Sequence, residues 1–277
     1  MKLFHEISEQ CSRATTELYS TSFASSIKLL HSDMHAPIHN IYGFVRFADE
    51  IVDTFHNFDK AVLLDEFKRE TWLAIERKIS LNPILNSFQQ TVNKYKIEHN
   101  LIAAFFESME LDLCNKKYDA KGYEKYIYGS AEVVGLMCLS VFCEGDEENY
   151  MVLKPFARAL GAAFQKVNFL RDIKDDSENL NRMYFPDCDF KNFSYNQKIA
   201  VEEDIQKDFD YAYKGILLLP AKAKLGVYVA YKYYLSLFKK IKKAEPQKIL
   251  QQRIRVPDYG KILILAKANV RNMLNIL

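Results

Sequence analysis

Apolar side chains recur every three or four residues along most of this chain, a spacing that confines it to packed helices. Leu63, Phe67, Leu73 and Ala74 form one such stripe, and Leu101, Phe105, Met109 and Leu113 form another. Nine glycines and seven prolines in 277 residues leave few breaks in the pattern. Pro37, Pro83, Pro155, Pro186, Pro220, Pro246 and Pro257 each sit near a change of pattern and are expected to mark helix boundaries. No strand pair, internal repeat or low-complexity linker interrupts the chain. The expectation is an all-α, single-domain helical bundle over residues 1–277.

Composition narrows the function classes. Hydrophobic residues at 49% and charged residues at 27% are a globular balance, and a net charge of +2 gives no global field for nucleic acid. Cys11, Cys114, Cys138, Cys143 and Cys188 lack CxxC or metal-ligand spacing. Such a scattered, odd set reads as reduced thiols in a cytoplasmic protein. The opening MKLFHEISEQ has no apolar signal core. The longest apolar run, Val133 to Cys143, is too short to span a bilayer and is expected to be a buried core helix.

Two segments carry carboxylates on helical stripes. In IYGFVRFADEIVD, Tyr42, Arg46, Asp49 and Asp53 step by four, three and four and share a face. Asp49 and Asp53 repel at that spacing, so a cation is expected between them, and Arg46 lies one turn away. In QKVNFLRDIKDD, Gln165, Asn168, Asp172 and Asp176 form a second stripe made only of amides and carboxylates. Hard oxygen donors of this kind suit Mg²⁺, which binds through a few carboxylates plus phosphate oxygens. A third copy of the spacing, Asp204 and Asp208 in VEEDIQKDFD, lies in a charge-rich stretch and reads as a solvated face. The first two are interleaved with apolar residues, where a carboxylate needs a partner or a metal.

At these residues the sequence resembles the squalene/phytoene synthase family of head-to-head prenyl synthases. The resemblance runs from about Tyr19 to the C-terminal helix in three ordered blocks: YGFVRFADEIVD, YIYGSAEVVG (Tyr126 to Gly135) and QKVNFLRDIKDDSENLNRMYFP (Gln165 to Pro186). Within the family the blocks look most like bacterial 15-cis-phytoene synthases. Three positions depart from the family pattern. Glu50 stands where many relatives have aspartate, Asn181 replaces a usual glycine, and Tyr19 replaces a frequent histidine.

The resemblance implies a prenyl-synthase bundle whose two aspartate helices face each other across a central cavity. It implies Mg²⁺, with Mn²⁺ as an alternative, held by Asp49, Asp53, Asn168, Asp172 and Asp176, and no NADPH for phytoene formation. Arg46, Arg171 and Arg182 would grip phosphate oxygens, Arg253 would add a further arginine, and Ser20, Ser22 and Gln165 would supply hydrogen bonds. Phe23, Tyr42 and Tyr184 would line the substrate, with Tyr42, Tyr128 and Arg46 closest to the chemistry. Two geranylgeranyl diphosphates would be joined through a cyclopropyl intermediate, prephytoene diphosphate, to 15-cis-phytoene, a step of carotenoid biosynthesis. A second ionisation, rearrangement and proton loss complete that sequence.

Rival readings are a squalene or dehydrosqualene synthase using farnesyl diphosphate and a non-catalytic helical binding protein. The small residues Ala131 and Gly135 suit close helix packing or the approach of a prenyl chain. A lipid substrate implies peripheral contact with the inner face of a membrane. The patch FKKIKK (Phe238 to Lys243) reads either as a lipid-binding site or as a solvated helix face. The expected oligomeric state is monomer or weak homodimer.

Overall fold

A computed structural model of the chain describes residues 1–114, 118–178, 184–186 and 194–274, apart from the side chains of 175–178 and 258. Among the described residues every regular element is helical. In chain order they are α1 (Lys2–Tyr19), α2 (Thr21–Ile27), α3 (Ser32–Thr54), α4 (Lys60–Arg77), α5 (Pro83–Tyr95), α6 (His99–Cys114) and α7 (Ala120–Ile127). A π-turn (Tyr128–Glu132) leads into α8 (Val133–Cys143). Then follow α9 (Glu147–Glu178), α10 (Tyr195–Leu218), α11 (Ala221–Lys243), α12 (Pro246–Gln251) and α13 (Asp258–Met273).

Local chemistry sets several of the starts. The Asp59 carboxylate accepts the Ala61 and Val62 amides at 3.1 and 3.2 Å, and Asn82 does the same for Ile84 and Leu85 ahead of Pro83. Ser194 and Gln197 form a reciprocal capping box at α10. Each cap contributes about 1 kcal/mol by satisfying amides that have no partner within the helix. Pro83, Pro220, Pro246 and Pro257 open or precede helices, as expected. Pro37 and Pro155 do not mark boundaries but lie inside α3 and α9. The carbonyls that lose a hydrogen bond there belong to the exposed residues Asp33 and Met151, within reach of water.

Helix α3 packs against α1, α5, α8, α4 and α6. Phe44 is fully buried, stacks on Phe88 at 3.9 Å between centroids and meets Phe106 edge-on at 5.5 Å. Burying one such ring contributes about 2–3 kcal/mol. Phe67, Ala74, Leu101, Phe105 and Met109 of the expected stripes are buried in the same core, with Leu63 and Leu113 packed against it.

Val133, Leu136, Met137, Leu139, Val141 and Cys143 are buried, as the apolar run suggested. The apolar helix is longer than that run, however. The π-turn joins α7 to α8, giving one 24-residue segment, Ala120–Cys143, long and apolar enough to cross a membrane. More than half of its most apolar stretch is covered by protein, so burial in the core accounts for its composition. Small residues bring this segment against its neighbours. A Cβ on Gly129 would stand 2.5 Å from the Ala104 carbonyl oxygen, and one on Gly161 would stand 2.6 Å from that of Ala131.

Helix α9 packs along α10, and Asp204 and Asp208 are not simply a solvated face. Lys166 of α9 donates to both, at 2.5 and 2.7 Å, with only 11% of its side chain exposed. Packing against α9 brings a cation between two carboxylates that would otherwise repel.

Candidate active site

A cavity of about 540 Å³ runs between α3 and α9. On α3 its lining extends from Ile38 to Asp53, and on α9 from Leu153 to Asp172, roughly 20–30 Å of helix each. Both walls pass from apolar to polar in the chain direction. Leu30, Leu139, Phe142, Leu153 and Leu219 line the apolar part, and Asp49, Asp53, Asn168 and Asp172 the polar part.

The two aspartate stripes meet through a tyrosine pair. Tyr42 feels the charge of Arg46 and Asp49 on its own helix and the hydroxyl of Tyr234 across the cavity. Tyr234 in turn lies against Asn168, Arg171 and Asp172. Phe23 sits between them, with its ring centroid 5.9 Å from that of Tyr42 and 5.7 Å from that of Tyr234, and Phe164 stacks on Tyr234 at 3.9 Å. Carboxylates from both helices therefore line one cavity and are half-buried there.

Cations crowd the same end. Arg171 donates to Asp172 through Nε at 2.8 Å and through a terminal nitrogen at 2.5 Å. Arg253, between α12 and α13, makes a 2.8 Å ion pair with the same carboxylate. Arg46, one turn from the aspartates where a cation is expected, is instead paired with Glu50, with its guanidinium 4.3 Å above the Tyr19 ring. One helical turn from Arg46 reaches Glu50 directly. The Arg46 Nε is buried without a hydrogen-bond partner. The departures Glu50 and Tyr19 thus occupy adjoining positions around one arginine.

The donor set fits a hard cation. The Asn168 Oδ1 is buried and has no hydrogen-bond partner, while its Nδ2 faces Gln165 Oε1 at a weak 3.4 Å. A buried acceptor left in this way costs about 1–3 kcal/mol unless something binds it. Asp49, Asp53 and Asp172 share its cavity. Among the described residues no three His, Cys, Asp or Glu side chains already converge on one point. Asp172 is instead neutralised by its arginines. The side chain of Asp176 and all of Asn181 and Arg182 lie outside the described residues.

The remaining sequence-derived residues divide. Ser20, Phe23, Tyr42, Gln165 and Tyr184 line the cavity, and Ser20 also caps α2 by accepting the Phe23 amide at 3.2 Å. Tyr184 is buried and stacks on Phe169 at 3.9 Å. Ser22 does not line the cavity; its carbonyl accepts the Ser26 hydroxyl at 2.9 Å within α2. Tyr128 is likewise absent from the lining, and its ring lies 5.3 Å below the Arg158 guanidinium. Tyr126, Ser130, Val134 and Cys138 line it instead, and a residue two positions from Tyr126 points the other way around a helix.

Asp112 and Tyr234 are cavity residues that the sequence reading missed. Tyr126 donates to Asp112 at 2.8 Å. Asp112 stands among Met109, Leu111 and Leu113, the same signal of a carboxylate in apolar surroundings that singled out Asp49. Burial pushes the Tyr42 hydroxyl up to about 12 and raises those of Tyr126 and Tyr234, so all three keep their protons at neutral pH.

The family model described as squalene/phytoene synthase matches residues 16–259. The chain is 24% identical to a phytoene synthase of Arthrospira platensis, over 95% of this chain and 92% of that one. It is 22% identical to a 4,4'-diapophytoene synthase of Staphylococcus haemolyticus, over 69% of this chain and 65% of that one. Its fold superposes on the crystal structure of a dehydrosqualene synthase with a TM-score of 0.82 at 18% identity, covering 97% of this chain and 98% of the other.

Proposed function

The chain belongs to the squalene/phytoene synthase family, whose members join prenyl diphosphates head to head, and from that premise we propose that it condenses two geranylgeranyl diphosphates to 15-cis-phytoene. Prenyl transfer follows from the family; the choice of the C20 substrate rests on the near full-length match to a phytoene synthase and on the block pattern. The observation that carries the reading is the cavity itself. Carboxylates and arginines gather at one end of a long channel whose remaining wall is apolar and aromatic.

In this reading Asp49, Asp53, Asn168 and Asp172, with Asp176 from the same stripe, hold Mg²⁺. When bound, Mg²⁺ neutralises negative charge on the departing diphosphate. Arg46, Arg171 and Arg253 grip diphosphate oxygens, and Arg171 and Arg253 release Asp172 as they do so. Phe23, Tyr42, Phe164 and Tyr234 exclude water from the allylic cation and present their ring faces to it. Burial keeps Tyr42 protonated, and in this reading the released diphosphate takes the proton lost when the cyclopropane forms. Tyr42 orients the substrate by donating its hydrogen bond to a diphosphate oxygen.

A farnesyl-using reading has support from the 22% identity to a diapophytoene synthase. Incubating the purified protein with each of the two diphosphates and Mg²⁺, with and without NADPH, separates the readings by product mass. A C40 hydrocarbon formed without NADPH is expected. A C30 product alone overturns the substrate assignment, and no diphosphate release from either substrate overturns the enzyme.

A further inference from the structure

Charge is divided unevenly along this chain. Residues 211–277 carry fourteen lysines and arginines against two acidic residues, Glu245 and Asp258, whereas residues 1–210 carry twenty-four against thirty-four. Ten of the fourteen lie on α11 and α13, which pack on each other. Lys239, Lys240, Lys242 and Lys243 are exposed on α11. Lys232 sits close to Lys239 and Arg271, and burial together with those charges lowers its pKa, so the two helices share one basic field.

Helix α13 buries only one side. Ala268 is buried and Ile264 and Leu265 pack against the core. Tyr259, Ile262, Leu263, Val270 and Met273 are between 55% and 83% exposed. At 100° per residue these five fall within an arc of about 100°, a continuous apolar stripe. No acidic residue follows Asp258 in the helix, and Lys267 and Arg271 lie along one side of the stripe. Its first turn adjoins the cavity rim, where Lys261 Nζ donates to Thr21 Oγ1 at 2.9 Å, next to the cavity-lining Ser20.

We propose that the exposed stripe of α13, with the lysines of α11 beside it, is a docking face for an anionic lipid bilayer. An apolar arc with cations along one edge is the arrangement of a helix lying in the plane of a membrane interface. The stripe enters the boundary between headgroups and acyl chains, and the ammonium groups meet lipid phosphates. A second copy of this chain suits the face less well, because two basic surfaces would repel. Docking by α13 holds the rim of the cavity against the bilayer, so a long-chain substrate enters and leaves without crossing water; that consequence alone rests on the proposed reaction.

Cosedimentation of the full chain with vesicles tests the proposal, using phosphatidylcholine alone and phosphatidylcholine mixed with phosphatidylglycerol. Binding is expected only with the anionic vesicles and should fall as salt is raised. Each lysine removed from the face should weaken it about fivefold. Ile262→Glu and Lys267→Glu should each reduce binding, the former about tenfold or more, with unchanged helicity by circular dichroism. Hydrogen exchange on the wild-type chain should slow across 259–273 when anionic vesicles are added. Equal binding to both vesicle types, protection elsewhere in the chain, or a solution dimer that Ile262→Glu dissolves would overturn the proposal. Neither vesicle contains a prenyl diphosphate, so failure here is distinct from failure of the reaction assignment.

Discussion

Arg253 reaches from the segment between α12 and α13 to Asp172 on α9 and holds its carboxylate at 2.8 Å. Arg171 grips the same carboxylate from the neighbouring position. The Asp172 carboxylate thus carries two guanidinium groups, which the proposed function has an incoming diphosphate compete for. Arg253→Ala should lower kcat/KM for the prenyl diphosphate by about 10- to 100-fold. Arg253→Lys should recover part of that loss, because an ammonium restores charge without the planar fork. Steady-state diphosphate release measures both, and wild-type kinetics in the alanine variant would remove Arg253 from the site.

Asn168 offers a test that does not depend on turnover. Its buried Oδ1 lacks a partner while the side chain also hydrogen-bonds Tyr234, so these effects offset and Asn168→Leu should change the stability of the metal-free protein by no more than about 1 kcal/mol. The same variant should weaken Mg²⁺ binding in the presence of inorganic diphosphate, read by titration calorimetry, by about tenfold. Asp49→Ala and Asp172→Ala should cost at least about 100-fold in turnover, and chelation with EDTA should abolish it until Mg²⁺ is restored. Unchanged Mg²⁺ affinity in Asn168→Leu would exclude that oxygen as a ligand.

The Tyr42 hydroxyl, pushed up to about 12 by burial, stays protonated through the working range. Tyr42→Phe should therefore lower kcat about tenfold or less and leave the shape of the pH–rate profile unchanged between about pH 6 and 10. A limb in that window present in the wild type and lost in the phenylalanine variant would identify Tyr42 as a titrating base.

His39 is buried in α3, and burial holds its imidazole down at about 4 from an ordinary 6.5, with the charge of Arg13 acting the same way. Between those values the unfolded chain takes up a proton that the native chain refuses, so stability falls as pH drops from about 6.5 toward 4. The loss reaches up to about 3 kcal/mol. His39→Gln should flatten that part of a stability-versus-pH curve measured by urea unfolding. An equally steep acid loss in the variant would assign it to other groups.

Much of the site was readable because it is written in short-range spacing. Asp49 and Asp53, or Asn168 and Asp172, are one turn apart, and a helix puts them on one face whatever surrounds it. The same periodicity separates Tyr126 from Tyr128, since Tyr126, Ser130 and Val134 form the stripe that lines the cavity. Other features had no local signal. Tyr234 joins the site only because α11 packs against α2 and α9. Arg46 satisfies Glu50 rather than the aspartates, and spacing alone cannot decide which of two carboxylates a guanidinium will choose.

Asp204 and Asp208 show where the division falls. Their sequence spacing matches that of Asp49 and Asp53, yet they clamp Lys166 on α9 while the earlier pair lines a cavity. By itself the sequence determined the helices, the donor types and the faces they occupy, because hydrogen bonds and side-chain periodicity within a helix involve residues only a few positions apart. Which faces meet was decided by tertiary packing. Convergence of α3, α9, α11 and the Arg253 segment depends on burying apolar surface among residues far apart in the chain, and only that packing turns separate stripes into one charged end of one cavity.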